Sequence, residues 1–137
     1  METLKSGGSR LSILYVEDEP VVREMVKFVL TRKYPEMEIH VAGDGRTGLE
    51  LFREHKPDLI LTDARMPVMD GFQMARAMLE ENPSARIIMI TACSDPDYVQ
   101  EMVKTGINRH VTKPIIHKEL FEAIDDCLAP ITGGDKG

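Results

Sequence analysis

What is scarce in this chain narrows its function before any motif does. It has no basic excess: 23 acidic against 17 basic residues give a formal net charge of -6. Nucleic acid and anionic membrane both demand a basic face, so neither is expected as a direct partner. Protein and phosphate-carrying partners stay open. Cysteine is rare, with Cys93 and Cys127 alone, in neither a metal-ligand spacing nor a disulfide framework. That fits a reducing, cytoplasmic setting and two small buried or half-buried thiols. No uninterrupted apolar run approaches the ~18 residues that cross a bilayer, and the polar start lacks the apolar core of a signal peptide. The protein is expected to stay where it is made. Internal repeats and low-complexity segments are absent as well.

At 137 residues the chain is most simply one domain, and a domain of that size buries roughly two thirds of its unfolded surface. The polar ends, 1–10 and 130–137, read as flexible flanks, leaving residues 11–129 for the fold. Within them strand-like and helix-like patterns alternate five times, the signature of an α/β sheet with helices on both faces. The first strand, Ser12 to Val16, is a near-continuous apolar run of the kind a doubly covered strand requires. Pro20 suits the first turn of a helix whose stripe is Val22, Met25, Val26, Val29 and Leu30. The second strand, Glu38 to Ala42, alternates as an edge strand does. A helix with Leu49, Leu51 and Phe52 follows, then a third, central strand from Leu59 to Thr62. Met74, Ala75, Met78 and Leu79 mark the next helix, and Arg86 to Thr91 the fourth strand. Ser94-Asp95-Pro96 reads as a cap with proline just inside a helix bearing Val99, Met102 and Val103, and Gly106 suits its C′ position. A short fifth strand, Arg109 to Thr112, leads to a helix with Leu120, Phe121, Ile124, Cys127 and Leu128 on one face.

The strands end on chemistry. The first stops at Glu17-Asp18, the third at Asp63, the fourth at Thr91 and the fifth at Lys113-Pro114. Parallel strands of one sheet bring their carboxyl ends to one edge, where open α/β folds bind ligands. Three carboxylates within ~5 Å of one another repel by roughly 3 kcal/mol per pair at an effective dielectric near 20, and a bound cation relieves that. Oxygen-only donors without Cys or His select a hard ion, Mg²⁺ with Mn²⁺ as the alternative. A carboxylate beside such an ion can attack phosphorus to give an acyl phosphate. Asp63, from the central strand, is the best-placed nucleophile, with the Thr91 hydroxyl and the Lys113 ammonium left to meet phosphoryl oxygens.

Glu17-Asp18, Asp63-Ala64-Arg65-Met66-Pro67-Val68-Met69-Asp70-Gly71, Ile90-Thr91-Ala92 and Lys113-Pro114, in this order and spacing, resemble the receiver domain of bacterial response regulators. The resemblance covers nearly the whole chain outside the flanks. It implies a single (βα)5 flavodoxin-like, doubly wound parallel sheet of strand order 2-1-3-4-5. It further implies that Asp63 accepts a phosphoryl group from a phosphohistidine on a sensor histidine kinase or histidine phosphotransfer protein. Mg²⁺ would then be ligated by Asp18, Asp63 and the backbone carbonyl of Arg65, with Glu17 acting mostly through water. In that family the Thr91 position moves inward on phosphorylation and an aromatic residue three before the lysine follows it, remodelling the surface of the fourth helix, fifth strand and fifth helix. Here that residue is His110, a flat ring of the type that titrates at physiological pH; a plain exposed histidine is the alternative. The Lys113–Pro114 bond is commonly cis in the family. Arg65 and Cys93 stand where hydrolysis of the acyl phosphate is tuned, and Ala92 would leave the site open to a partner or water.

A receiver-like interaction module that takes no phosphate is the competing function, and it would show gaps in the set Glu17, Asp18, Asp63, Thr91 and Lys113. A true enzyme, an aspartate-nucleophile phosphatase, would carry a second aspartate where this chain has Arg65. A flavodoxin-like electron carrier would need an anion cradle where Glu17-Asp18-Glu19-Pro20 stands. The chain is thus expected to act as a switch rather than an enzyme, with self-phosphorylation and autodephosphorylation its only chemistry. Nothing after residue 129 forms an output module, so a stand-alone regulator and a receiver within a longer protein are both open. The output partner is unknown, and a phosphorylation-dependent homodimer is one form it could take.

Overall fold

The computed structural model of the protein describes residues 10–92, 96–107 and 109–132. Strands and helices alternate along them as β1 (Ser12–Val16), α1 (Pro20–Lys33), β2 (Glu38–Ala42), α2 (Gly45–His55), β3 (Leu59–Asp63), α3 (Gly71–Glu81), β4 (Ile87–Thr91), α4 (Pro96–Thr105), β5 (Arg109–Thr112) and α5 (His117–Thr132). Every strand pairing is parallel and the sheet order is β2-β1-β3-β4-β5. The expected doubly wound architecture is therefore observed, with β2 and β5 at the edges. Strand order reverses between β1 and β3, which opens a crevice at their carboxyl ends.

Register decides what stands at that edge. Val16 lies beside Thr62, Asp63 beside Ile90, and Thr91 beside Thr112. Strands β1, β3 and β4 are buried along their full lengths, so successive residues feed two cores on opposite faces. Ile13, Tyr15, Leu61 and Ile90 pack with Val26 and Leu30 of α1 and Leu120, Ile124 and Leu128 of α5. Leu14, Val16, Ile60 and Met89 pack with Phe52 of α2, Met74 and Met78 of α3 and Met102 of α4. Each fully buried side chain of this size contributes about 1.5–3 kcal/mol, and together these hold the strand ends in place.

Two expected stripes are broader than the buried faces. On α1 Met25 is 55% exposed beside exposed Val21 and Phe28. At about 100° per residue it points a quarter turn away from Val26. On α4 Met102 is buried whereas Val99 and Val103 are exposed, both rotated to the same side of it. Gly106 takes φ +86° and gives its N–H to the Met102 carbonyl at 3.0 Å, as a C′ glycine should. Ser94 and Asp95 lie outside the described residues; Pro96 opens α4. Helix α5 runs on through Thr132 with Pro130 in its last turn.

The β3–α3 loop folds back tightly. The Gly71 N–H donates to the Ala64 carbonyl at 2.9 Å, and a Cβ at Gly71 would stand 2.3 Å from the Asp63 carbonyl oxygen, so no other residue fits there. Asp70 and Gln73 form a capping box that starts α3. Between them and Asp63, Val68 adopts φ 69° while 87% exposed, a left-handed conformation that costs a β-branched residue about 1–2 kcal/mol. Val68→Asn, whose side chain tolerates that region, is expected to stabilise the fold by about 1 kcal/mol. Urea denaturation reads this as a higher midpoint at unchanged slope, and an unchanged midpoint would contradict it.

Candidate functional site

Because the strands are parallel, Glu17 and Asp18 leave β1, Asp63 ends β3, Thr91 ends β4 and Lys113 follows β5 at one edge of the sheet. One carboxylate oxygen from each of Glu17, Asp18 and Asp63 lies within 4.8 Å of the others. Glu17 is fully buried and Asp63 and Thr91 nearly so, while Asp18 is half-exposed. The Lys113 ammonium donates to Asp63 Oδ2 at 3.0 Å. The Lys113 N–H also donates to the Thr91 carbonyl at 2.6 Å, tying the end of β4 to the segment after β5. The Lys113–Pro114 bond is cis.

Glu17 is held at every polar atom. Its N–H donates to the Ala42 carbonyl at 3.0 Å, and its carbonyl accepts from Arg23 Nη1 at 2.8 Å. Its Oε1 accepts from the Tyr15 hydroxyl at 3.3 Å and its Oε2 from the Glu19 N–H at 3.1 Å. Burial pushes its pKa above the usual carboxylate value, the Glu19 N–H partly offsets this, and the Asp63 and Asp18 charges add to it against the pull of Lys113. For Lys113, partial desolvation pulls the pKa down, but the hydrogen bond and charge of Asp63, then Glu17 and Asp18, outweigh it and leave the ammonium above its usual value. Its contribution to stability is fully present at neutral pH and is lost only as pH rises through that raised value.

The structure thus brings Glu17, Asp18, Asp63, Thr91 and Lys113 to one crevice; the His110 side chain stands apart, and Arg65, whose expected donor is its backbone carbonyl, follows Asp63 by two residues. Arg65 has an exposed side chain and lines a cleft with Asp70, Arg76, Asp97 and Glu101, in which Arg76 Nη1 meets Glu101 Oε2 at 2.5 Å. His110 pairs with Met89 in the sheet, is exposed, and lines a shallow cleft with Glu119 and Glu122. Cys93 lies outside the described residues. Sequence reasoning missed Tyr15 and Arg23. The signal for Tyr15 was a polar tip in an otherwise aliphatic strand two residues before the carboxylate; for Arg23 there was none, since an arginine on a helix surface is ordinary.

The acidic cluster can hold a cation. One ammonium in direct contact leaves three carboxylates net negative, one of them is fully buried, and an all-oxygen donor set suits a hard divalent ion.

The sequence model of the response regulator receiver domain matches residues 13–125. The chain is 32% identical to chemotaxis protein CheY of Bacillus subtilis, over 85% of this chain and 96% of that protein. It is 30% identical to transcriptional regulatory protein DegU of Brevibacillus brevis, over 85% of this chain but 49% of the relative. It therefore spans about half the length of the first transcriptional regulators that it matches. Among solved structures, chemotaxis protein CheY4 of Vibrio cholerae superposes with a TM-score of 0.79 at 28% identity, covering 86% of this chain and 98% of that one.

Cation binding should be visible in stability. Mg²⁺ at about ten times its dissociation constant is expected to stabilise the fold by about 1.4 kcal/mol near neutral pH. Glu17 has a raised folded-state pKa, so without the ion its burial costs stability as pH rises through that value, and a proton competes with the ion below it. The rise in melting temperature on adding Mg²⁺ should shrink steadily as the solution is acidified from neutral and Glu17 takes up its proton; a pH-independent rise would contradict the cluster as the binding site.

Proposed function

The chain belongs to the response regulator receiver family, whose members are phosphoacceptor switches of two-component systems, and from that premise we propose that Asp63 is the phosphoacceptor and Mg²⁺ the ion. The observation that carries this reading is Asp63 itself: a nearly buried carboxylate at the end of the central strand, hydrogen-bonded to Lys113 and set beside two further carboxylates. Asp18, Asp63 and the Arg65 carbonyl would ligate the ion, with Glu17 acting through water and Mn²⁺ as the substitute. When bound, the ion neutralises charge on the phosphoryl oxygens.

The donor is a phosphohistidine of a sensor histidine kinase or histidine phosphotransfer protein. An Asp63 oxygen forms the new bond to phosphorus as the phosphorus–nitrogen bond breaks, and the released imidazole nitrogen takes up a proton. Lys113, already on Asp63 Oδ2, pairs with one phosphoryl oxygen, and the Thr91 hydroxyl donates to another. Thr91 and His110 then alter the α4–β5–α5 surface, where Val99 and Val103 already stand exposed. Output passes to a fused domain, a separate protein or a phosphorylation-dependent homodimer. We take residues 11–129 as the receiver unit, working in the cytoplasm; among the described residues no helix is long and apolar enough to cross a membrane.

Incubation with acetyl phosphate and Mg²⁺ should add one phosphoryl group to the intact mass of the wild type and none to Asp63→Asn. No gain in the wild type, or equal gain in the variant, would sink the reading and favour a module that takes no phosphate.

The donor needs a docking face at the crevice rim. Val21, Met25 and Phe28 are exposed on α1, which begins two residues after Asp18, and Ile116 is exposed three residues after Lys113. Replacing Met25 and Phe28 with Ser should slow transfer from a phosphohistidine-bearing kinase domain roughly ten-fold or more, as loss of two central apolar anchors does. Phosphorylation by acetyl phosphate should be unchanged, and equal slowing with both donors would locate the defect in the site.

A further inference from the structure

Tyr15 is fully buried in β1, among the apolar side chains that join the sheet to α1 and α5. A phenylalanine would fill that space equally well; what tyrosine adds is a hydroxyl. A buried hydroxyl is costly unless hydrogen-bonded, and its partner is Glu17 Oε1 at 3.3 Å. Glu17 is the first residue after β1, and the hydrogen bond sets the Tyr15 hydroxyl against its carboxylate from within the core. Burial first, and then the Glu17 charge, hydrogen bond and Asp63 charge, push the phenol pKa up, which keeps it a donor.

In the observed orientation an oxygen of the Glu17 carboxylate lies within 4.8 Å of carboxylate oxygens of Asp18 and Asp63. Its backbone is fixed by Ala42 and Arg23, and the two side-chain oxygens are fixed by the Tyr15 hydroxyl and the Glu19 N–H. Without the hydroxyl, Oε1 loses that donor and the carboxylate is held at Oε2 alone, by the Glu19 N–H. We propose that Tyr15 is a positioning residue for cation binding: its hydroxyl holds the Glu17 carboxylate facing the ion that Asp18 and Asp63 share. It acts through Glu17 and touches neither ion nor phosphoryl group. The proposal rests on the metal reading given above.

The test is Mg²⁺ affinity measured by calorimetry on the wild type, Tyr15→Phe, Glu17→Ala and the double variant, with melting temperatures in EDTA beside them. Tyr15→Phe is expected to weaken Mg²⁺ roughly ten-fold, the lower end of the loss seen when an outer-shell partner is removed, while melting close to the wild type. In the Glu17→Ala background the same change should have no further effect on affinity. Phosphorylation by acetyl phosphate should need more Mg²⁺ in Tyr15→Phe but reach the wild-type rate at saturation, a split that a purely structural role would not produce. Wild-type affinity in Tyr15→Phe, or the same loss with and without Glu17, would overturn the proposal. Absence of Mg²⁺ binding in the wild type would overturn the metal reading, and this proposal with it.

Discussion

Holding three carboxylates within 4.8 Å of one another is the constraint around which the rest of the molecule is arranged. At such spacing each pair repels by roughly 3 kcal/mol at an effective dielectric near 20, and Glu17 is deprived of water besides. Left to itself the chain would splay these groups into solvent. It does not because their backbone atoms belong to the ends of β1 and β3, paired residue by residue as Val16 with Thr62 and Asp63 with Ile90, and buried on both faces. The hydrophobic cores thus supply the free energy that keeps the charges together, and the charges in turn create a place where a cation is favoured.

The loops around the crevice serve the same end. Gly71 lets the chain return to within contact of the Asp63 carbonyl, and the capping box at Asp70 and Gln73 fixes where that return begins α3. Arg23 reaches from α1 to the Glu17 carbonyl, and a Cβ on Gly43 would meet that guanidinium at 3.0 Å. One arginine therefore braces the β1–α1 loop against the β2–α2 loop. Val68 is the exception, a β-branched residue at φ 69° whose local cost is carried by its neighbours.

Sequence made the strand ends legible because burial on both faces writes a continuous apolar run, and the first polar residue after it must stand at the sheet edge. It made the helices legible as apolar periodicities but not as buried faces. Met25 and Val103 add to the apolar pattern of α1 and α4 as much as Val26 and Met102 do, yet they are exposed, since periodicity records which residues are apolar and not which arc meets the sheet. The contact of Arg23 with Glu17 was not legible at all, since the reach of a guanidinium has no spacing in sequence. That of Tyr15 left only a faint mark, a polar tip two residues before the carboxylate, because the height of a side chain above its strand is not written in the chain.

The site is asymmetric in a way that bears on signalling. Its chemistry rests on β1, β3 and β4, which are buried along their lengths. The edge strand β5 differs, with His110 exposed and only Val111 buried. The hydrogen bond from the Lys113 N–H to the Thr91 carbonyl links the buried strands to the segment after the edge strand through the main chain alone. Main-chain displacement at Thr91 pulls directly on the segment that carries Lys113, whose ammonium is held on Asp63 at the other end. Lys113 therefore joins Thr91, through its N–H, to Asp63, through its ammonium, so a change in charge at Asp63 reaches the end of β5 through one residue. The link between Asp63 and the end of β5 therefore does not pass through the side chain of His110.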